Sequence, residues 1–243
     1  MTKPFGFLTV RTGSSRLAGK CLLPFGEGNV LEHVIRRAHQ FRFTPVVCTT
    51  ILREDDIIEQ TAVREGALCH RGSVTDKLVR WLGAAHRFGA LEFHTIDVDD
   101  PFFDGELGHD SLMLLAQGYD AVYPSMETFG GSVGFSLTTG LTERVCAEKS
   151  SEDTEMMWYH IEKTPSLKHT ALSVPNARVD NSRLRLTLDY DEDYWMLKTV
   201  LRMLGPFASR TAIEDLFVAN PDMTQINLFR NADWKAGQLA KKI

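Results

Sequence analysis

Short apolar runs alternate with helical periodicity through the first half of the chain. Residues 5–10, Phe-Gly-Phe-Leu-Thr-Val, read as a strand. Residues 30–41 place Val30, Leu31, Val34, Ile35 and Ala38 at the spacing of a helix with one buried face. The same alternation gives a strand at 45–49, a helix at 54–65 opened by acidic residues, a strand at 67–70, a helix at 75–88 and a strand at 91–96. Strands separated by helices of this length need right-handed crossovers, which predicts a mostly parallel sheet.

After residue 104 the rhythm changes. A helix at 107–117 leads to a strand at 121–124, then Gly130-Gly131 and a short apolar run at 133–137. Helix-like stretches follow at 141–148 and 153–163, then a late strand at 184–188 and helices at 193–204 and 213–219. The pattern predicts a single α/β domain over 1–243, with residues 125–183 inserted after the fifth strand.

Composition narrows the partners. A chain of 243 residues buries roughly three-quarters of its unfolded surface and needs no staple to fold. With 43% apolar and 24% charged residues and a net charge of −5, it lacks the basic surplus of a nucleic-acid polymer binder. Cys21, Cys48, Cys69 and Cys146 form no close pair, and the eight histidines make no zinc pattern, so reduced thiols are expected. No run approaches the ~18 apolar residues of a membrane span, and the first residues lack a signal-like apolar core, so a cytoplasmic location is expected.

The candidate chemistry lies where strands end. The first strand opens into Arg11-Thr12-Gly13-Ser14-Ser15-Arg16-Leu17-Ala18-Gly19-Lys20. Such a loop is either an anion cradle of backbone N–H groups flanked by cations, or a solvated basic turn. It matches neither the P-loop nor the dinucleotide fingerprint. Asp97, Asp99 and Asp100 crowd the end of the fourth strand, and Asp189 follows the late strand. Crowded carboxylates call for a cation, and magnesium favours carboxylate with phosphate oxygens, although Asp before Pro101 also suits a plain turn. Asp191, Glu192 and Asp193 suit a helix start. Open parallel sheets bind ligands beyond the carboxyl ends of their strands, so these loops are expected to share one crevice. There Arg16 and Lys20 would meet phosphates. Arg71-Gly72-Ser73 would either contact a base or ribose or form an ordinary turn with Ser73 capping a helix. His94, His109 and His160 are candidate bases by residue type alone.

The motif Arg-x-Gly-Ser-Ser-Arg-Leu-x-Gly-Lys-x-Leu-Leu-Pro, Arg11 to Pro24, resembles the opening of cytidylyltransferases of the spore-coat polysaccharide type. These are relatives of the 3-deoxy-manno-octulosonate and N-acylneuraminate cytidylyltransferases. The likeness continues through Val30-Leu31-Glu32-His33-Val34-Ile35, Glu54-Asp55-Asp56-Ile57-Ile58-Glu59, Arg71-Gly72-Ser73-Val74-Thr75-Asp76, Asp99-Asp100-Pro101 with Asp104, and Leu184-Arg185-Leu186-Thr187-Leu188-Asp189. The resemblance implies a Rossmann-like nucleotidyltransferase fold that is commonly dimeric through its insertion. It implies transfer of CMP from CTP to an acidic sugar or a phosphate- or phosphonate-bearing acceptor, as in surface polysaccharide biosynthesis. Arg11, Gly13, Ser14 and Ser15 would then wrap the phosphates, Arg16 and Lys20 hold their charge, Arg71 and Ser73 lie near the cytidine, and Asp99 and Asp189 coordinate magnesium.

The chain also departs from the family. Ala18 stands where Pro is usual, Val98-Asp99-Asp100-Pro101 replaces Gly-Asp-Cys-Pro, and Glu155-Met156-Met157-Trp158-Tyr159-His160 replaces Glu-His-Val-Thr-Pro-Tyr. The last change falls in the insertion expected to bind the acceptor and make dimer contacts. Arg144, Lys149, Lys168, Arg178, Arg183 and Arg185 are possible anion grips there or nearby. Two other readings stand beside this one. Asp97-Val98-Asp99 matches the metal motif of type-A glycosyltransferases, and a catalytically silent nucleotide binder would share the fold.

Overall fold

Alternating side chains along the central strands divide the core into two layers. The computed structural model describes residues 3–14, 16–125, 127–128, 130–174 and 183–240. Its first half contains β1 (Phe5–Thr9), a hairpin of β2 (Pro24–Phe25) and β3 (Gly28–Asn29), α1 (Val30–Gln40), β4 (Thr44–Thr50), α2 (Asp56–Arg64), β5 (Leu68–Gly72), α3 (Lys77–Phe88) and β6 (Glu92–Asp97). The second half adds α4 (Gly105–Leu115), β7 (Ala121–Pro124), β8 (Ser136–Thr138), α5 (Thr139–Glu148), α6 (Met157–Ile161), β9 (His169–Leu172), α7 (Asp191–Leu204), α8 (Arg210–Ala219) and α9 (Arg230–Ala240). Leu8, Val47 and Ile96 pack in one layer with α1, α2, α7 and α8, while Phe7, Val46 and Phe93 pack in the other with α3, α5 and α6.

Seven strands form one sheet in the order β5-β4-β1-β6-β8-β7-β9. β5, β4, β1 and β6 are mutually parallel, and only β8 runs antiparallel, between β6 and β7. The mostly parallel α/β sheet flanked by helices is the architecture expected from sequence. Thr9 pairs with Asp97 in the β1–β6 register, so the loops leaving these strands emerge side by side. A hydrogen bond from Val98 N to Thr9 O at 3.2 Å extends that pairing into the loops.

Several local expectations need correction. Residues 184–188 form no strand; they are extended and joined to the sheet's rim by a single bridge, Gly130 to Arg185. Their partner is the turn at Gly130-Gly131, where the chain turns and no ladder can continue. Gly131 has φ +85°, and a Cβ there would lie 2.6 Å from Leu186 C, so only glycine allows this approach. The helix expected over 153–163 shortens to α6, because Asp153 N donates to Ser151 Oγ and Glu155 N to Asp153 Oδ1, both at 3.1 Å. Such local side-chain bonds compete with helix formation. The hairpin β2–β3, strand β9 and helix α9 were not anticipated. Segment 125–183 supplies β8, α5, α6 and β9 within its described part, so much of it is built into the main sheet and its facing layer.

Candidate active site

The loop after β1 is held open by a buried carboxylate. Asp55, fully buried, accepts from Thr12 N at 2.8 Å and Thr12 Oγ1 at 2.7 Å, and also from Thr50 Oγ1. Burial alone would raise its pKa, but these donors hold it below the ordinary carboxylate value. Asp55 thus ties the loop to the end of β4. Downstream, Gly19 at φ +60° starts a 3-10 turn over Lys20–Leu22, which turns Lys20 back toward the sheet.

Lys20 and Arg16 meet the two strand-end aspartates. Lys20 Nζ donates to Asp99 Oδ2 at 2.6 Å, Asp189 Oδ1 at 2.8 Å and Leu188 O at 2.9 Å. Arg16 Nη2 donates to the same Asp189 oxygen at 2.6 Å. Asp189 comes to this point because Leu188 N donates to Asp99 O at 2.6 Å, joining the late extended segment to the acidic turn. Below it, Arg185 reaches Asp189 Oδ2 at 3.2 Å and Asp193 Oδ1 at 2.9 Å, and Asp193 accepts from the N–H groups of Asp189 and Tyr190. Burial would lower the Lys20 pKa, but its two carboxylates raise it above the ordinary lysine value. Burial would likewise raise Asp189, but Lys20 and Arg16 bring it below the usual range.

Ligand atoms of Asp97, Asp99 and Asp100 lie within 4.8 Å of one another. All are hard carboxylate oxygens without histidine or cysteine, a donor set suited to magnesium or manganese rather than zinc. Burial, reinforced by Asp99 and Asp97, pushes Asp100 well above the ordinary carboxylate value. Asp97 also accepts from Lys77 Nζ at 3.0 Å. The residues therefore fit a divalent cation, with Asp99 common to the expected pair with Asp189 and to this closer set.

These groups line a cleft of about 1030 Å³ at the carboxyl edge of the sheet. Arg11, Gly13, Ser14, Arg16, Lys20, Asp99 and Asp189 all border it, whereas Ser15 lies outside the described residues. Arg11 is further tied to Glu155 at 3.2 Å. Arg71 and Ser73 do not border it. Arg71 turns onto α2, donating to Asp56 at 2.5 Å, Glu59 at 3.1 Å and the carbonyls of Thr50 and Leu52. Ser73 Oγ accepts from Asp76 N at 3.1 Å, so it forms the turn, but the cap of α3 is Asp76, whose side chain accepts from Val79 N at 3.0 Å.

Sequence reading missed Lys77 and Arg80, which reach the cleft from the first turns of α3. Their three-residue spacing, just after the capping Asp76, was the available signal. Arg80 is 2% exposed, donates to Ser73 O, and leaves its Nε without a partner. The candidate histidines lie elsewhere. His94 is fully buried against Ser136, its pKa pushed down to about 3 by burial, His109 bonds to Phe41 O, and His160 borders Tyr159. Among the suggested anion grips, Arg144 pairs with Asp120, Lys149 with Asp76, and Arg185 is engaged by Asp189, Asp193 and Asn231. Lys168 and Arg183 do not border the cleft, and Arg178 lies outside the described residues.

Residues 7–118 match the cytidylyltransferase family. The chain is 28% identical to the spore coat polysaccharide biosynthesis protein SpsF of Bacillus subtilis (strain 168), over 88% of this chain and 94% of the relative. It resembles the structure of a cytidylyltransferase from Leptospira borgpetersenii serovar Hardjo-bovis (strain JB197), with TM-score 0.83 and 26% identity, covering 93% of this chain and 98% of that one. The fold also matches CMP:2-keto-3-deoxy-manno-octonic acid synthetase complexed with CTP, at TM-score 0.62 and 13% identity, over 83% and 99% of the two chains. Among the described residues, no helix is long and apolar enough to cross a membrane. The glycosyltransferase reading of Asp97-Val98-Asp99 gives way: the match of residues 7–118 to the cytidylyltransferase family and the likeness to these relatives indicate a CTP-dependent nucleotidyltransferase.

Proposed function

We propose that this cleft transfers CMP from CTP, with magnesium, to an acidic sugar or a phosphate- or phosphonate-bearing acceptor and releases pyrophosphate. The observation that carries this reading is the convergence of Lys20 and Arg16 on Asp99 and Asp189 at the carboxyl edge of the sheet. An acceptor oxygen attacks the α-phosphorus, and the bond from that phosphorus to the pyrophosphate oxygen breaks. Positioning and charge neutralisation dominate such a reaction. The loop from Arg11 through Ser14 cradles the triphosphate, while Arg16 and Lys20 offset charge on the leaving oxygens. Asp99, with Asp97 or Asp189 beside it, would hold a magnesium ion, which when bound neutralises phosphate charge and lowers the pKa of an attacking hydroxyl. Segment 125–183 is assigned to acceptor and homodimer contacts.

Pyrophosphate release tests the reading, with CTP, UTP, ATP and GTP compared at fixed magnesium across a panel of acidic and neutral acceptors. Turnover with CTP and an anionic acceptor is expected. Turnover of a sugar nucleotide without pyrophosphate, or indifference to the base, would overturn it.

A further inference from the structure

One cation of the cleft stands apart in its pairing. The others described above each face a carboxylate or, for Arg80, the Ser73 carbonyl. Lys235, on α9, borders the cleft with no hydrogen bond or ion pair among the described residues, and it is exposed. Its helix is fixed to the cleft floor rather than laid loosely across it. Arg185 donates to Asn231 Oδ1 at 3.1 Å and, through its other terminal nitrogen, to Asp189. Asn227 Nδ2 donates to Arg185 O at 2.9 Å, and Arg230 grips Glu192 with two nitrogens, at 2.9 and 3.1 Å. Asn231, Trp234 and Lys235 stand three and four residues apart on one face of α9, and all three border the cleft. Trp158, stacked on Phe135 at 5.4 Å, adds aromatic wall to the same cleft.

Resting on the cytidylyl-transfer reading, we propose that Trp234 and Lys235 of α9 complete the acceptor subsite to which segment 125–183 contributes Phe135 and Trp158. Lys235 pairs with the carboxylate or phosphate of the acceptor, and Trp234 covers the apolar face of its ring. The substrate class is thus an anionic, ring-bearing sugar. The cations near Asp99 and Asp189 are engaged with carboxylates, whereas the ammonium of α9 is left for the second substrate.

The test compares wild type with Lys235→Glu, Lys235→Arg and Trp234→Ala. Probes are 3-deoxy-manno-octulosonate, N-acetylneuraminate, glucuronate, glucose 6-phosphate and neutral glucose. Pyrophosphate release gives KM for each probe, and the Tm shift with CTP and magnesium reports nucleotide binding separately. At least one anionic sugar should be used and glucose should not. Lys235→Glu should raise its KM about tenfold or more, Trp234→Ala should also raise it, and Lys235→Arg should hold it within about threefold, with the CTP shift unchanged. An acceptor KM unmoved by Lys235→Glu, or an equal loss of the CTP shift, overturns the subsite. An intact CTP shift with no anionic probe used or raising Tm further also overturns it, yet leaves the nucleotide reading standing. No response of wild type to CTP removes both.

Discussion

Lys20 Nζ lies 2.6 Å from Asp99 Oδ2, although 79 positions separate the two residues in the chain. The contact joins the loop of the first strand to the acidic turn after β6, and the same ammonium reaches Asp189 at 2.8 Å. On the proposed reading this lysine would serve both phosphate charge and carboxylate spacing. Lys20→Met should lower kcat/KM by about 10²–10³, the scale for losing one charge-stabilising donor. Binding of Mn²⁺ by calorimetry should hold or tighten, since an ammonium competing for Asp99 and Asp189 is gone. Unchanged turnover would exclude Lys20 from the chemistry.

Asp55 acts one step further from the cleft. It holds Thr12 through both backbone and hydroxyl donors, so it shapes the loop without bordering the cleft. Asp55→Asn keeps the size but loses an acceptor and the charge. It should raise KM for CTP about tenfold with a smaller change in kcat, and cost about 2 kcal/mol in urea unfolding. A fall in kcat alone, with KM and stability unmoved, would count against this positioning role.

Four charged residues that meet at the carboxyl edge were legible in sequence because strand ends and charge patterns are local. Arg16, Lys20, Asp99 and Asp189 could be picked out from where apolar runs stop. Arg71 was misplaced because its neighbours along the chain do not reveal that Asp56 and Glu59 stand within reach. Helix α9 was missed because Arg-Asn-Ala-Asp-Trp-Lys-Ala-Gly-Gln-Leu-Ala has little apolar periodicity; its anchors are Arg230 to Glu192 and Asn231 to Arg185, polar contacts that no hydropathy pattern records. The single bridge at Arg185 similarly looks like a strand in sequence, since extended backbone and a laddered strand share residue preferences.

His33 supports the acidic turn from below and makes it sensitive to acid. Its Nε2 is 2.9 Å from Pro101 O, and burial between Phe25 and Phe102 pushes its pKa from 6.5 down to about 4. The unfolded chain therefore binds a proton between those values that the folded chain refuses. The contribution is present above pH 6.5 and is lost as pH falls toward 4, a difference of about 3 kcal/mol. His33→Gln keeps a donor for Pro101 O but does not titrate. Urea unfolding of the variant from pH 7 to pH 4 should show a shallower loss than wild type by about that amount. Parallel pH profiles of the two proteins would show that His33 is not the group responsible.

Arg71 offers the sharpest contrast between sequence and geometry. Its guanidinium is spent on Asp56, Glu59 and two carbonyls at the outer edge of the sheet, and Arg80 borders the cleft instead. Asp56 and Glu59 are themselves substantially exposed, so solvent weakens both ion pairs. Arg71→Ala should therefore cost no more than about 1 kcal/mol and leave KM for CTP within about twofold. Arg80→Ala removes a 2% exposed guanidinium that has no carboxylate partner, and should raise KM for CTP about tenfold. Arg80→Lys, which keeps the charge but not the fork, should recover stability more than affinity. A tenfold rise in KM with Arg71→Ala would mean that its guanidinium leaves Asp56 for the nucleotide on binding, and would return Arg71 to the cytidine side of the cleft.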